Sequence, residues 1–352
     1  MEEDFGFSEI KIKDDIKYQN EKEIKDNITI KINGIKINFS YFYQFKTDGK
    51  YKIEYIFKKN ISKINHIFFK CDNIEKIDLS NFDTQNVTDM SWMFGFCESL
   101  TEVDLTNFNT QNVKNMNGMF ANCKSLINVD LNNFDTKNVI DISLMFAGNT
   151  SLLNIDLSKF NMQNVIDMSL LFLECTSLIE INLSNINTQN VNNMCGLFNR
   201  CESLINIDLS KLCTQNVTNM YGMFNRCVSL KELDLSNFNT ENVTDMHKMF
   251  NECGALININ LSSFKTKNVK DMHRMFDRCV SLTQIDLSNF DTLKVTNISE
   301  MFNGCKSLIN LNLSKFNLQN ITDINKIFEG CISLKKENVI TKDAKILKCF
   351  SA

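Results

Sequence analysis

Residues 123–146 read CKSLINVDLNNFDTKNVIDISLMF, and this stretch decides the fold because the chain repeats it. Its first residue recurs every 26 residues as Cys71, Cys97, Cys123, Cys175, Cys201, Cys227, Cys253, Cys279, Cys305 and Cys331, with Asn149 at the one skipped place. Three residues before each lies a phenylalanine, from Phe68 to Phe328, and this one is never replaced. A fixed period of this length marks a solenoid or a repeat array. Inside the unit, the run Ile127 to Leu131 alternates with period two, which predicts a short strand. From Val139 onward, apolar residues fall every third or fourth place behind Asp141. That spacing predicts a short helical or 3₁₀ turn capped by Asp or Asn. Neither element can bury its apolar face alone, but stacked copies can.

The flanks divide the chain further. Ile53, Ile56, Ile61, Ile64, Ile67 and Phe68 stand at the register of Leu79, Phe82, Val87, Met90, Met93 and Phe94. Upstream, two alternating runs surround Asn33-Gly34, a strong hairpin signal. We therefore expect an N-terminal region at residues 1–50 with a capping hairpin, repeats over 51–340, and a short cap with a mobile basic tail over 341–352.

Composition excludes several classes. The 352 residues carry 38 basic and 42 acidic side chains, a net charge of −4. That provides no overall field for nucleic acid or anionic lipid. No apolar run reaches the roughly 18–20 residues a bilayer span needs, so no membrane insertion is expected. Proline is absent, where about 5% is usual, in keeping with a backbone whose N–H groups are needed in ladders. The start, MEEDFGFSEIKIKDD, has no basic segment followed by an apolar one. The thirteen cysteines are thus read as reduced thiols, and the expected location is cytoplasmic, with the cell surface as the alternative.

The pattern L-x-x-I-D-L-S-x-F-x-T-x-N-V-x-D-M-x-x-M-F-x-x-C, seen in LTEVDLTNFNTQNVKNMNGMFANC (100–123) and LKELDLSNFNTENVTDMHKMFNEC (230–253), resembles the BspA-like leucine-rich repeat family. That family includes a repeat of unknown function found in mycoplasma surface proteins and in protist proteins. The resemblance covers about residues 51–340. It implies an α/β solenoid, a leucine-rich-repeat-like right-handed superhelix of about ten repeats, each a short strand plus a short helical turn. It further implies protein binding, often as an exported surface adhesin, and no catalytic residues. Many relatives carry Trp where this chain has Phe82, Phe108, Phe134 and Phe160; its one Trp, Trp92, is elsewhere.

Stacking turns each repeat position into a column. The cysteine column, between Phe and Leu, reads as core packing, since a buried free thiol behaves as a small hydrophobe. Zinc sites favour clustered spacings such as C-x-x-C, and none occurs. Cys213, off this register, is expected at the surface. The outward strand positions carry Asp78, Glu102, Asp104, Asp130, Asp156, Glu180, Asp208, Glu232, Asp234 and Asp286 against a single base, Lys76. This acidic, amide-rich face is either a solvated consensus surface or a binding face for a basic protein partner; bound divalent cations are a third reading. Its sign disfavours nucleic acid. A column of Asn before the valine (Asn86, Asn112, Asn138 and onward) is expected to be buried and bonded turn to turn. Asn86, Asn216 and Asn242 begin N-x-T sequons, and glycans on an inward column would wreck it, which argues against passage through a glycosylating compartment. Neither a phosphate-binding loop nor a H-E-x-x-H sequence is present, and no cofactor, metal or catalytic residue is expected, a metal- or thiol-dependent enzyme being the remote alternative. His247 and His273 share one repeat position, so stacking sets them side by side; a two-histidine metal site and a coincidence on the surface are both open.

Overall fold

The computed structural model describes residues 21–40, 43–57 and 61–350. The first fifteen residues, on which the reading of no export signal rests, lie outside that set. The repeats form a solenoid. One residue per coil, from Lys63 through Asp89, Asn115, Asp141, Asp167, Asn193, Asn219, Asp245, Asp271 and Asn297 to Asp323, builds an unbroken series of parallel bridges. From Asp89 on, each of these side chains accepts the backbone N–H two residues later, as in Ser91 N–H to Asp89 Oδ1 (2.9 Å) and Tyr221 N–H to Asn219 Oδ1 (2.9 Å). Asp and Asn serve this bond equally, which is why they interchange along the column.

The segment expected to be helical is not. No helix occurs between residues 61 and 335. In the coil at 116–123, three overlapping β-turns close through Met119 N–H to Met116 O, Ala121 N–H to Gly118 O and Cys123 N–H to Phe120 O. The alternate donors leave the coil: Met116, Gly118, Phe120 and Asn122 donate to the carbonyls of Asp141, Ser143, Met145 and Ala147 in the next one, at 2.6–2.9 Å. Those N–H groups point along the solenoid axis and cannot serve a helix. Each coil also holds two residues at positive φ, four apart, such as Gly118 (59°) and Asn122 (59°) or Leu144 (60°) and Gly148 (76°). A run of turns places an apolar residue inward about every third position, so its spacing mimics a helical face.

The expected strands appear on the opposite side as short parallel ladders. They are β4 (Lys76–Asp78) with β5 (Glu102–Asp104), β6 (Asn154–Asp156) with β7 (Glu180–Asn182), and β8 (Gln284–Asp286) with β9 (Asn310–Asn312). A single bridge joins Asp234 to Asn260.

At the N-terminal end, α1 (Glu21–Asn27) leads into an antiparallel sheet of β1 (Ile28–Ile32), β2 (Ile35–Ile37) and β3 (Ile53–Phe57), in the order β2-β1-β3. Asn33 (φ 48°) and Gly34 (φ 81°) form its hairpin turn, as the Asn-Gly pair predicts. Ile24, Ile28 and Ile30 join the repeat core and close its open end. The repeat register fails here: Ile56, aligned with Phe82, is exposed, and Phe57 stacks on Phe82 instead at 4.1 Å. The reason is antiparallel pairing with β1, which sets the faces of β3. At the other end β10 (Val339–Ile340) pairs with β9, and α2 (Ala344–Lys348) buries Ile346. Phe350 stacks on Phe328 at 4.7 Å, so the tail through residue 350 is a packed cap rather than a loose end.

The core is a set of columns. The rings from Phe68 to Phe328 stack coil on coil with centroids 5.2–6.0 Å apart. All described cysteines are free thiols, and the column members from Cys97 to Cys331 are buried. Each also donates a weak hydrogen bond backwards, as Cys97 Sγ to Phe68 O and Cys227 Sγ to Phe198 O, both 3.1 Å. Burial pushes these thiols up, to about 12 for Cys253 and about 11 for Cys331. The buried polar column is not the asparagine one. Thr84, Thr110, Thr136, Thr188, Thr214, Thr240, Thr266 and Thr292 are at most 1% exposed. Thr84 Oγ1 donates to Asn109 O (2.9 Å) and accepts from Asn109 N–H (2.7 Å), stitching the corner of one coil to the next. A hydroxyl does both jobs in less volume than an amide. Asn86, Asn112, Asn138, Asn216 and Asn242 are exposed. They still bond turn to turn, as Asn112 Nδ2 to Gln85 O (2.8 Å), but from the outside. The inference from these sequons to a compartment therefore loses its premise.

Candidate interaction surface

The acids expected on the strand face lie there. Asp78, Glu102, Asp130, Asp156, Glu180, Asp208, Glu232, Asp234 and Asp286 are exposed, and Asp104 is half-buried. The ladders bring Asp78 beside Asp104, whereas Glu180, Asp156 and Asp286 each face an amide. Residues 128–130 and 206–208 lie outside any ladder, so Asp130 and Asp208 are not clamped between paired strands. Every aspartate of the column spends one oxygen on its own chain. Asp130 Oδ1 accepts Asn132 N–H at 2.9 Å and Asp208 Oδ1 accepts Ser210 N–H at 2.9 Å, and Asn182, Asn260 and Asn312 do the same. Hydrogen bonds from the side chain and backbone of Ser80 and Ser158 hold the Asp78 and Asp156 carboxyls below their usual range. Those from the backbone and side chain of Ser210 and Ser236 act likewise on Asp208 and Asp234. These four carboxylates stay anionic at neutral pH. Lys76 pairs with Glu102 at 2.5 Å and neutralises one end of it.

Beside the acids stands an apolar column that the sequence reading missed. Ile127, Leu153, Ile179 and Ile205 are 40–53% exposed in four successive coils. Backbone bonds from Leu153 N–H to Ile127 O and Ile179 N–H to Leu153 O hold the first three in step. The signal was present: these coils keep Ile or Leu where others have Thr101, Lys231 and Thr283, and Ile257 and Ile309, each 46% exposed, carry it again further on. Period-two reading assigned the position to a strand and did not ask which way it faces. The opposite, turn side holds paired charges. All four arginines lie there on carboxylates: Arg200 on Glu174 (2.8 Å), Arg226 and Arg278 on Glu252 (3.2 and 3.4 Å), and Arg274 on Glu300 (3.0 Å).

His247 and His273 do lie side by side, with ring centroids 4.7 Å apart, and Tyr221 stacks on His247 at 3.9 Å. Cys213 is half-buried, not fully exposed as expected, because its N–H is drawn onto Thr188 Oγ1 at 2.8 Å.

No curated protein matches the chain. Among solved structures it is similar to a leucine rich cell surface protein from Faecalibacterium prausnitzii A2-165, at 15% identity over 82% of this chain and 78% of that one, with a TM-score of 0.33. It is also similar to a chain of the TLR13–ssRNA13 complex, at 16% identity over 79% of this chain and 45% of that one, with a TM-score of 0.27. The family described as "Mycoplasma protein of unknown function, DUF285" matches residues 37–154, 148–253 and 218–342. These tandem matches span the repeats and most of the sequence, and the chain belongs to that family.

Proposed function

We propose that the chain is a non-catalytic repeat scaffold that holds protein partners against its strand face. One observation carries the reading: an exposed apolar column, Ile127 to Ile205, directly precedes the outward acidic and amide positions of the strands along the chain. The fitting partner is a protein segment carrying both apolar and Lys or Arg side chains. No aromatic anchor is available on the acidic column, so binding strength comes from repetition over several coils. Polyanions are repelled by the sign of the face. No helix of the described residues is long and apolar enough to cross a membrane.

Because the aspartates cap their own backbone, Asp→Asn removes charge and keeps structure. Proteins retained by the immobilised chain should be lost from an Asp130→Asn/Asp156→Asn/Asp208→Asn variant, from a Leu153→Ser/Ile179→Ser variant, and at high salt. Retention unaltered by all three would leave the strand face without this role.

Display at a cell surface is the second reading. It is favoured by the exposure of Asn86, Asn216 and Asn242, which removes the objection to export. Protease treatment of intact cells separates it from the cytoplasmic reading: a displayed chain is degraded, an internal one survives.

A further inference from the structure

Among the described residues the Asp/Asn ladder pairs two aspartates directly in only two places, Asp141 with Asp167 and Asp245 with Asp271. At the first pair the residues two further on are Ser143 and Ser169; at the second they are His247 and His273. Each histidine ring turns back onto its own aspartate, His247 Nδ1 to Asp245 Oδ1 at 2.5 Å and His273 Nδ1 to Asp271 Oδ1 at 3.0 Å. The same oxygens accept the histidines' backbone N–H groups at 3.1 and 2.9 Å. The two rings are within 14° of parallel, and Tyr221 closes the far side of His247. One ligand atom each of His247, Asp271 and His273 lies within 4.8 Å of the other two, and all three residues are half-buried.

We propose that His247, His273 and Asp271 form a binding site for a transition-metal dication of the zinc class, bridging two coils. The donor set suits such an ion: two borderline imidazole nitrogens with a carboxylate, a combination that hard cations such as calcium do not favour. The three atoms lie within 4.8 Å of one another, so gathering them onto an ion at about 2.0–2.2 Å requires the two rings to turn out of their stacked arrangement. Adjacent rungs hold the backbones in register, and the Asp245 carboxylate behind His247 fixes that ring, as second-shell carboxylates do in zinc proteins. The charges of Asp245 and Asp271 balance the dication. Thiolate plays no part: Cys195, two coils away at the same repeat position, is separated by Tyr221, and burial pushes its thiol to about 12. Coordination positions not filled by these three side chains are left to water or to a partner's side chain.

The test is calorimetric titration of the full chain with zinc alone, in a Cys71→Ser/Cys195→Ser/Cys213→Ser/Cys349→Ser background that removes the four partly exposed thiols. One equivalent should bind and raise the melting temperature. His247→Gln/His273→Gln should weaken binding at least about tenfold. Asp271→Asn, which keeps the ladder bond as Asn193 and Asn219 do, should also weaken it with its unliganded melting temperature little changed. Cobalt should give a visible absorption band that both variants lose. Absence of saturable binding, or equal binding by all variants, would overturn the site.

Discussion

At the scale of single residues, two positions break a column and show what the column requires. Asn149 takes the place of a cysteine. Its Oδ1 accepts Cys123 N–H at 2.8 Å, while its buried Nδ2 has no partner. Asn149→Cys restores the thiol and removes an orphaned donor, so it should raise stability by about 1–3 kcal/mol in urea unfolding. Asp277 interrupts an amide ladder in which Asn225 Nδ2 donates to Asn199 Oδ1 (2.9 Å) and Asn251 Nδ2 to Asn225 Oδ1 (2.6 Å). It accepts from Asn303 (2.9 Å), but an ionised carboxylate offers nothing to Asn251 Oδ1, which is left unpaired. Burial pushes the Asp277 carboxyl up to about 6. A carboxyl raised on folding keeps its proton in the folded chain and loses it in the unfolded one between the ordinary carboxylate range and about 6. Its contribution to stability therefore falls as pH rises through that window and stays lost above it. Asp277→Asn supplies the missing donor at every pH. The variant should be more stable than the parent at pH 7 by about 1–3 kcal/mol, and the gap should shrink below pH 6. A gap that widens on acidification would contradict the assignment.

At the scale of elements, the coil is built from turns that the apolar spacing disguises as helix. Val139, Ile142, Met145, Phe146 and the buried Asn149 follow a three- or four-residue period, and all are inside. What the period could not reveal is the backbone. Leu144, Leu170, Arg200, Arg226 and others adopt positive φ without being glycine, at about 1–2 kcal/mol each. The axial hydrogen bonds between coils offset that cost. None of these left-handed residues is β-branched, and that avoidance was the legible clue. The threonine corner is a second element invisible to periodicity. Thr214 Oγ1 donates to Asn239 O at 3.0 Å and accepts its N–H at 2.8 Å. Thr214→Val keeps the volume and loses both bonds; we expect a loss of about 1–3 kcal/mol, and a smaller one for Thr214→Ser, measured by thermal melting. Met162 and Leu318 occupy this place in two coils, so the corner tolerates isolated losses.

At the scale of the molecule, stacking sorts the chemistry by side. Thiols, methionines and phenylalanines go to the centre, the four arginines to the turn side, and unpaired acids with an apolar column to the strand side. Thiol titration reads this sorting directly. The nine buried column cysteines should react with a thiol reagent only after denaturant is added, whereas Cys213 reacts in the native chain. More than four fast thiols under native conditions would mean that the column is open. By itself the sequence determined the solenoid, its 26-residue register, the buried phenylalanine and cysteine columns and the acidic side. Repetition does this because one residue choice, made in every coil, becomes a continuous surface once copies stack. Only the tertiary structure decided the turn conformation, the threonine rather than asparagine corner, the exposed Ile127–Ile205 column and the meeting of His247 with His273 and Asp271. Each of these depends on where an N–H, a ring or a methyl group points between one coil and the next, a direction that spacing along a single chain does not carry.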